Sequence, residues 1–182
     1  MYRLKISACA GMTKDRILTM ATNGNKLTTG VVSRKEAFVM SVASVAVILG
    51  GRKSLRGGTA ERIDLMKLSQ KGVNKDALLR LAKYLDLSLS QMAELLPVTQ
   101  RTIQRYSRNH RFNQAVSEHI LQITEVALRG SNVFGSRDRF VTWMKAKNPA
   151  LGDRTPASLL SSRFGAELVL DELGRIEHGI VS

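Results

Sequence analysis

Three short helical segments follow one another between residues 74 and 108, and each begins at a residue suited to cap a helix. The caps are Asn74, Ser88 and Thr99, whose side-chain oxygens can accept hydrogen bonds from the free amides of a first helical turn. Apolar residues recur at helical spacing after the first two caps, and Pro97 separates the second segment from the third. The pattern predicts a cluster of short helices, and strand patterns are almost absent elsewhere in the chain.

The second and third segments have the features that a DNA-binding helix-turn-helix requires. That motif needs a small residue where its two helices touch, apolar residues beside the turn, and two apolar anchors on the second helix. The small residue is Ala93, and the apolar positions are filled by Met92, Leu96, Val98, Ile103 and Tyr106. We therefore predict a recognition helix that is capped by Thr99 and runs to Tyr106 or Arg108.

The face of this helix opposite its apolar anchors is made of glutamine and arginine. At about 100° per residue, one stripe contains Gln100, Arg101, Gln104, Arg105 and Arg108. Such side chains pair with adenine and guanine edges in the major groove, while Thr99 and Thr102 beside the stripe can reach phosphates. The stripe predicts a contact with double-stranded operator DNA, and the alternative is an ordinary solvated face.

Charge is distributed unevenly along the chain. The formal net charge is +13, which favours a polyanionic partner. Residues 1–55 contain nine Lys or Arg and two Asp or Glu, a net charge of +7, whereas residues 131–182 contain seven and six, a net charge of +1. The last third of the chain is therefore a better candidate for protein contacts than for phosphate contacts.

The chain is expected to be all-α and to divide into four parts around the motif. These are a basic, mobile tail at residues 1–35, a helical extension at residues 36–72, a helix-turn-helix domain at residues 73–130 and a C-terminal helical domain at residues 131–182. Within them we expect a helix at residues 37–49 and a short helix capped by Asp64. Gly130 is expected to stop the longer helix that follows the motif.

The last helix is expected at residues 166–177, after Gly165 interrupts the helical pattern. Its apolar residues are Leu168, Val169, Leu173 and Ile176. The preceding stretch, residues 148–156, has the composition of a turn throughout, with Pro156 suited to the first turn of a short helix.

Nothing in the sequence indicates an enzyme, a membrane span or a metal site. No nucleophile motif, phosphate-binding glycine loop or metal-ligand spacing is present, so we expect no catalytic residues, no metal and no cofactor. The most apolar run, residues 37–51, is too short and too rich in Ala and Ser to cross a bilayer. One cysteine, Cys9, cannot form an internal disulfide, which suits a cytoplasmic protein.

The C-terminal part resembles a known family. Trp143 is followed by Asn-Pro-Ala-Leu-Gly at residues 148–152, Arg-Thr-Pro at residues 154–156, a Leu-Leu pair at residues 159–160 and Gly-Arg-Ile-Glu-His-Gly at residues 174–179. This linked set, together with the helix-turn-helix, resembles the antitoxins of the Xre/MbcA/ParS type, which pair with RES-domain toxins. The resemblance extends from about residue 42 to the end of the chain and leaves out residues 1–35.

The resemblance implies a function for each domain. Such antitoxins form homodimers within a larger toxin–antitoxin complex, bind their own promoter and neutralise a toxin that acts on NAD, by covering its NAD pocket. Dimerisation is then assigned, with DNA binding, to residues 73–130. Toxin contacts are assigned to the C-terminal tail and the preceding turn, at Asn148, Arg154, Asp171, Arg175, Glu177, His178, Gly179 and Ile180.

Two alternatives remain open from the residues themselves. Arg154, Arg175 and Glu177 could instead form an internal ion pair, with a tail that merely frays. The whole chain could be a stand-alone transcriptional regulator whose C-terminal domain only dimerises or senses a ligand. An NAD-acting enzyme is a third class, which the missing catalytic motifs disfavour.

Overall fold

A computed structural model describes residues 42–50 and 62–179, and over these ranges every regular element is helical. The elements are α1 (Val42–Leu49), α2 (Arg62–Lys71), α3 (Lys75–Leu85), α4 (Leu89–Glu94), α5 (Gln100–Arg105), α6 (Gln114–Phe134), α7 (Arg137–Lys145), a 3-10 turn (Pro149–Leu151), α8 (Pro156–Leu159) and α9 (Arg163–Glu177). The predicted all-α class is confirmed. The expected tail at residues 1–35 and the start of the helix at residues 37–49 lie outside the described residues.

The three predicted caps of the motif are confirmed. Asn74 Oδ1 accepts a hydrogen bond from the Ala77 amide at 2.9 Å. Ser88 and Gln91 form a reciprocal capping box at the start of α4. Thr99 Oγ1 accepts from the amide of the third residue of α5 at 3.2 Å. These caps satisfy helix-terminal amides locally, which is why such short helices can begin where the sequence predicts.

Helix α6 forms the centre of the structure, and α1, α2, α7 and α9 pack against it. Its inward residues Ile120, Ile123, Val126 and Ala127 are completely buried. Two buried hydroxyls on α6 are satisfied: Ser117 Oγ accepts from the Val73 amide at 2.9 Å, and the Thr124 hydroxyl donates to the carbonyl four residues earlier. One long helix therefore contacts the C-terminal elements α7 and α9 as well as α3, which in turn contacts α4 of the motif.

Two glycines expected to end helices lie inside them instead. Gly130 is buried within α6, which continues to Phe134 and ends at Gly135 in a left-handed conformation. Gly165 lies in the first turn of α9, where an added Cβ would be only 2.0 Å from the carbonyl oxygen of Leu159. Both predictions were wrong for the same reason: these glycines permit close packing rather than a change of backbone direction.

Two other helix ends differ from expectation. α2 begins at Arg62, so Asp64 is not its cap but an acidic residue in its first turn, 3.4 Å from the ammonium of Lys67. α4 ends at Glu94, before Pro97, and a turn at residues 95–98 leads to the cap of α5.

Candidate DNA interface and partner-binding face

The packing of α4 against α5 has the predicted form. Met92 and Ile103 are completely buried, and Ala93 and Leu96 are less than 10% exposed. Val98 and Tyr106 are half-buried and pack against the same core. The apolar side of α5 is therefore fixed on the body of the protein, which leaves its other side to face outward.

The outward side of α5 is cationic. Arg101, Gln104 and Arg105 are exposed, and Gln100 and Thr102 are half-buried. No carboxylate of the described residues forms an ion pair with Arg101 or Arg105. Their guanidinium groups are thus free, within this part of the chain, to meet the acceptors of a base or a phosphate.

The two threonines at the start of α5 are hydrogen-bonded to each other. Their hydroxyl oxygens are 2.8 Å apart, and Thr99 Oγ1 also accepts from the backbone amide of Thr102. Only one hydroxyl proton is used in the mutual bond, so the other can donate to a phosphate oxygen. This arrangement supports the predicted role beside the stripe while giving Thr99 a structural role as the cap.

Arg108 does not lie on the helical stripe, which corrects the prediction. α5 ends at Arg105, and Tyr106 is extended, with φ −73° and ψ 145°. The Tyr106 ring stacks on that of His110, with centroids 3.5 Å apart, and meets Phe112 edge-on. This aromatic packing turns the chain away from the helix axis, so Arg108 is exposed in a turn beyond the helix.

The residues predicted to support the toxin contact form a closed turn. Asn148 Oδ1 accepts from the Ala150 amide at 2.9 Å, and its backbone amide donates to the Arg154 carbonyl at 3.1 Å. Thr155 caps α8, and Pro156 occupies the first helical position. Asn148 therefore stabilises the turn, while the side chain of Arg154 is exposed.

Ion pairs form at the end of α9, but they do not link Arg154, Arg175 and Glu177 to one another. Arg175 lies 3.3 Å from the buried carboxylate of Glu172, without hydrogen-bond geometry. Glu177 lies 3.4 Å from Arg129 of α6. Within the described residues Arg154 takes part in neither pair. The Arg175–Glu172 pair lies within α9, whereas the Arg129–Glu177 pair joins the end of α9 to α6.

The remaining predicted contact residues lie at or beyond the end of α9. Asp171, His178 and Gly179 are exposed. Gly179 has a φ of +70°, a left-handed conformation that favours glycine and terminates the helix. Ile180 lies outside the described residues.

An exposed apolar pair on α9 was not predicted from the sequence. Phe164 is 78% exposed and Leu168 is 52% exposed, and they continue along the helix to Asp171 and Arg175 with spacings of four, three and four residues. We call these four residues the outer face of α9. Leu168, one of the apolar residues of the predicted helix, lies outside the core, because the buried side of α9 is centred on Val169 and Leu173. The spacing of four, three and four residues from Phe164 to Arg175 is the sequence pattern from which this face could have been predicted.

The described residues contain no cluster of His, Cys, Asp and Glu that could hold a metal ion. Among the helices described, none combines the length and apolar character needed to cross a membrane.

Two family models match neighbouring parts of the chain. The model described as the antitoxin Xre-like helix-turn-helix domain matches residues 64–124, from α2 into α6. The model described as the antitoxin Xre/MbcA/ParS C-terminal toxin-binding domain matches residues 129–179, from α6 to the end of α9 and the turn after it. Together the matches cover more than half of the 182 residues.

Two curated proteins similar to this chain are both named antitoxin Xre. The protein from Yersinia enterocolitica is 37% identical over 79 residues, which make up 43% of this chain and 53% of that protein. The protein from Photorhabdus laumondii subsp. laumondii is 35% identical over 94 residues, or 49% of this chain and 64% of that protein. The chain thus matches between about half and two thirds of the length of each relative. With its helix-turn-helix domain and toxin-binding domain, the chain belongs to the Xre/MbcA/ParS-type antitoxin family.

Proposed function

We propose that this chain is a cytoplasmic antitoxin with two binding activities. It neutralises a RES-domain, NAD-acting toxin by covering the toxin's active site with its C-terminal region, and as a homodimer it represses its own operon through α5. The observation that carries the proposal is that one chain combines an exposed cationic recognition helix with a toxin-binding domain that exposes an apolar pair. DNA binding and dimerisation are assigned to residues 73–130, and toxin binding to residues 131–182.

The DNA-binding role rests on the orientation of α5. Arg101, Gln104 and Arg105 are exposed on the side opposite the buried Ile103. Arginine and glutamine can each form two hydrogen bonds with guanine and adenine in the major groove. Arg108, in the turn after the helix, is better placed for a phosphate than for a base. In a homodimer, two such helices would contact half-sites about one DNA turn apart.

The toxin-binding role rests on the outer face of α9 and the residues after it. Exposed Phe164 and Leu168 provide apolar anchors of the kind that dominate protein interfaces, with Asp171 and Arg175 at the polar rim. Glu177 would pair with cationic groups that otherwise hold the NAD diphosphate. Because Glu177 is already paired with Arg129, binding would exchange one ion pair for another.

Co-expression with the product of the adjacent gene, which the proposal expects to be a RES-domain protein, tests the proposal. The wild-type chain is expected to co-purify with that protein, restore growth and preserve cellular NAD. Two variants separate the activities. Deletion of residues 177–182 should abolish growth rescue and spare operator binding. Combined alanine replacement of Arg101, Gln104 and Arg105 should abolish operator binding and spare growth rescue.

Each contrary result has a specific meaning. If the truncated chain still restores growth, the assignment of the tail is wrong. If no partner co-purifies and growth is not restored while operator binding is intact, the chain is a stand-alone regulator whose α9 face serves dimerisation or sensing. If the purified chain itself consumes NAD, the proposal that it acts only by binding a toxin and DNA is wrong.

A further inference from the structure

Lys75 connects the start of α3 to the end of the recognition helix. Its ammonium nitrogen donates to the carbonyl oxygen of Gln104 at 3.1 Å and to that of Tyr106 at 2.7 Å. The neighbouring carboxylate of Asp76 pairs instead with Arg80 at 3.0 Å. The Lys75 ammonium is therefore directed at backbone carbonyls of the α5 end and not at a side-chain anion.

This position is unusual for a lysine. Lys75 is the first residue of α3, where the helix dipole disfavours a positive charge. At the C-terminal end of α5 the same charge is favourable, because the last carbonyls of a helix lack intrahelical donors and carry partial negative charge. α5 has only six residues, so a large share of its carbonyls would otherwise lack donors. The charge of Lys75 thus stabilises the recognition helix α5 and is unfavourable for α3, the helix to which Lys75 belongs.

Backbone hydrogen bonds join the start of α3 to the segment that follows α5. The amide of Lys75 donates to the His110 carbonyl at 2.9 Å, and the amide of Asp76 donates to the Arg108 carbonyl at 3.1 Å. Further along, the Phe112 amide donates to the Val73 carbonyl at 2.9 Å. The segment that follows α5 is therefore held along the start of α3, and Lys75 adds the only contact in this set that reaches back into α5 itself.

We infer that Lys75 is a positioning residue for DNA recognition. Its ammonium fixes the end of α5, and with it the direction in which Arg101 and Arg105 project, while making no contact with DNA itself. Two of its three N–H donors are used by the carbonyls of Gln104 and Tyr106. The inference rests on the proposed DNA-binding function of α5.

Replacement of Lys75 by methionine, which removes the charge and keeps the length, tests this inference. The matched control is Lys83→Met, which removes an equal charge from an exposed position on the same helix. We expect Lys75→Met to weaken binding to the operator about tenfold, close to the lower limit for the loss of a hydrogen bond from a charged group. Binding to unrelated DNA should change less, and Lys75→Arg should recover most of the loss.

The salt dependence of binding distinguishes positioning from direct contact. For a positioning residue, the slope of log affinity against log salt is the same in Lys75→Met and wild type. A slope reduced by about one unit would make Lys75 a phosphate contact and overturn the inference. An operator affinity equal to that of Lys83→Met would overturn it as well.

Hydrogen exchange provides a readout that does not require DNA. Backbone amides of α5 should exchange faster in Lys75→Met than in Lys83→Met, while amides in the middle of α6 stay equally protected. If exchange is faster only in α5 but the wild-type chain binds no operator, the proposed DNA function is refuted, whereas the effect of Lys75 on the end of α5 stands. Equal exchange in α5, or faster exchange throughout the chain, would show that Lys75 has no specific effect on the recognition helix.

Discussion

The ring of Phe140 lies directly against the backbone of Gly130. A Cβ added at Gly130 would be 2.0 Å from Cε2 of Phe140, much closer than any van der Waals contact. Phe140 is completely buried, and its ring lies within 6.3 Å of those of Phe134 and Trp143, measured between centroids. Gly130 thereby lets α7 pack closely on α6, the long central helix of the structure.

Gly130→Ala is therefore expected to destabilise the protein, although alanine is the better helix former. The methyl group has no space unless Phe140 or α7 moves, and overpacking of this kind costs about 1–3 kcal/mol. Gly174→Ala, in α9, is the matched control, because its Cβ would meet only the flexible end of Arg129, at 3.3 Å. Urea unfolding of both variants measures the difference, and equal stability would show that the Phe140 ring relaxes freely.

Replacement of Arg101, Gln104 or Arg105 by alanine is expected to change DNA specificity. If the side chains contact bases, each replacement costs about 1–3 kcal/mol of preference for the operator. Arg139→Ala, which removes an exposed positive charge from α7, should leave operator preference unchanged. Titration of operator and scrambled duplexes tests this, and an equal loss on both duplexes would assign the side chains to phosphates.

The parts of the fold set by local chemistry were predictable from the sequence. The caps at Asn74, Ser88 and Thr99 and the buried anchors Met92 and Ile103 depend on residues a few positions away, so their pattern is visible in the chain. The same holds for the linked motifs that carry the family resemblance, which the family models and relatives confirm.

The features that were missed depend on residues distant in sequence. The end of α5 at Arg105 coincides with the stacking of Tyr106 on His110 and the contact of Tyr106 with Lys75, which local helix periodicity does not reveal. The close packing at Gly130 requires α7 to be in place. The exposure of Leu168 depends on which side of α9 meets α6.

Combined replacement of Phe164 and Leu168 by alanine is expected to weaken toxin binding and leave folding intact. Anchors of this type contribute about 2 kcal/mol or more each to an interface, whereas exposed side chains change stability by about 0.5 kcal/mol or less. Ile63→Ala with Met66→Ala is the matched control, because these α2 residues are 53% and 51% exposed. Calorimetric titration with the purified toxin gives the affinity, and light scattering gives the oligomeric state. Loss of self-association with toxin affinity unchanged would assign the face to a second copy of the chain.

The pair formed by Asp86 and Lys145 predicts a pH dependence of stability. The hydrogen bond and charge of Lys145 hold the pKa of the exposed Asp86 carboxyl below its ordinary value. A lowered folded pKa means that the pair stabilises the fold above about pH 4, the range in which an unfolded aspartate is ionised. That contribution is lost as the pH falls through the folded pKa.

Asp86→Asn should therefore be less stable than wild type near neutral pH, and this deficit should disappear in acid. Asparagine tolerates the left-handed backbone at this position, where φ is 54°, so the change removes the charge with little strain. Asp153→Asn is the matched control, because Asp153 has a φ of 56° and no ion pair with other residues in the described part of the chain. Urea unfolding from neutral pH down to about pH 2 compares the curves. A deficit that persists at the lowest pH would mean that Asp86 acts through the backbone turn and not through its charge.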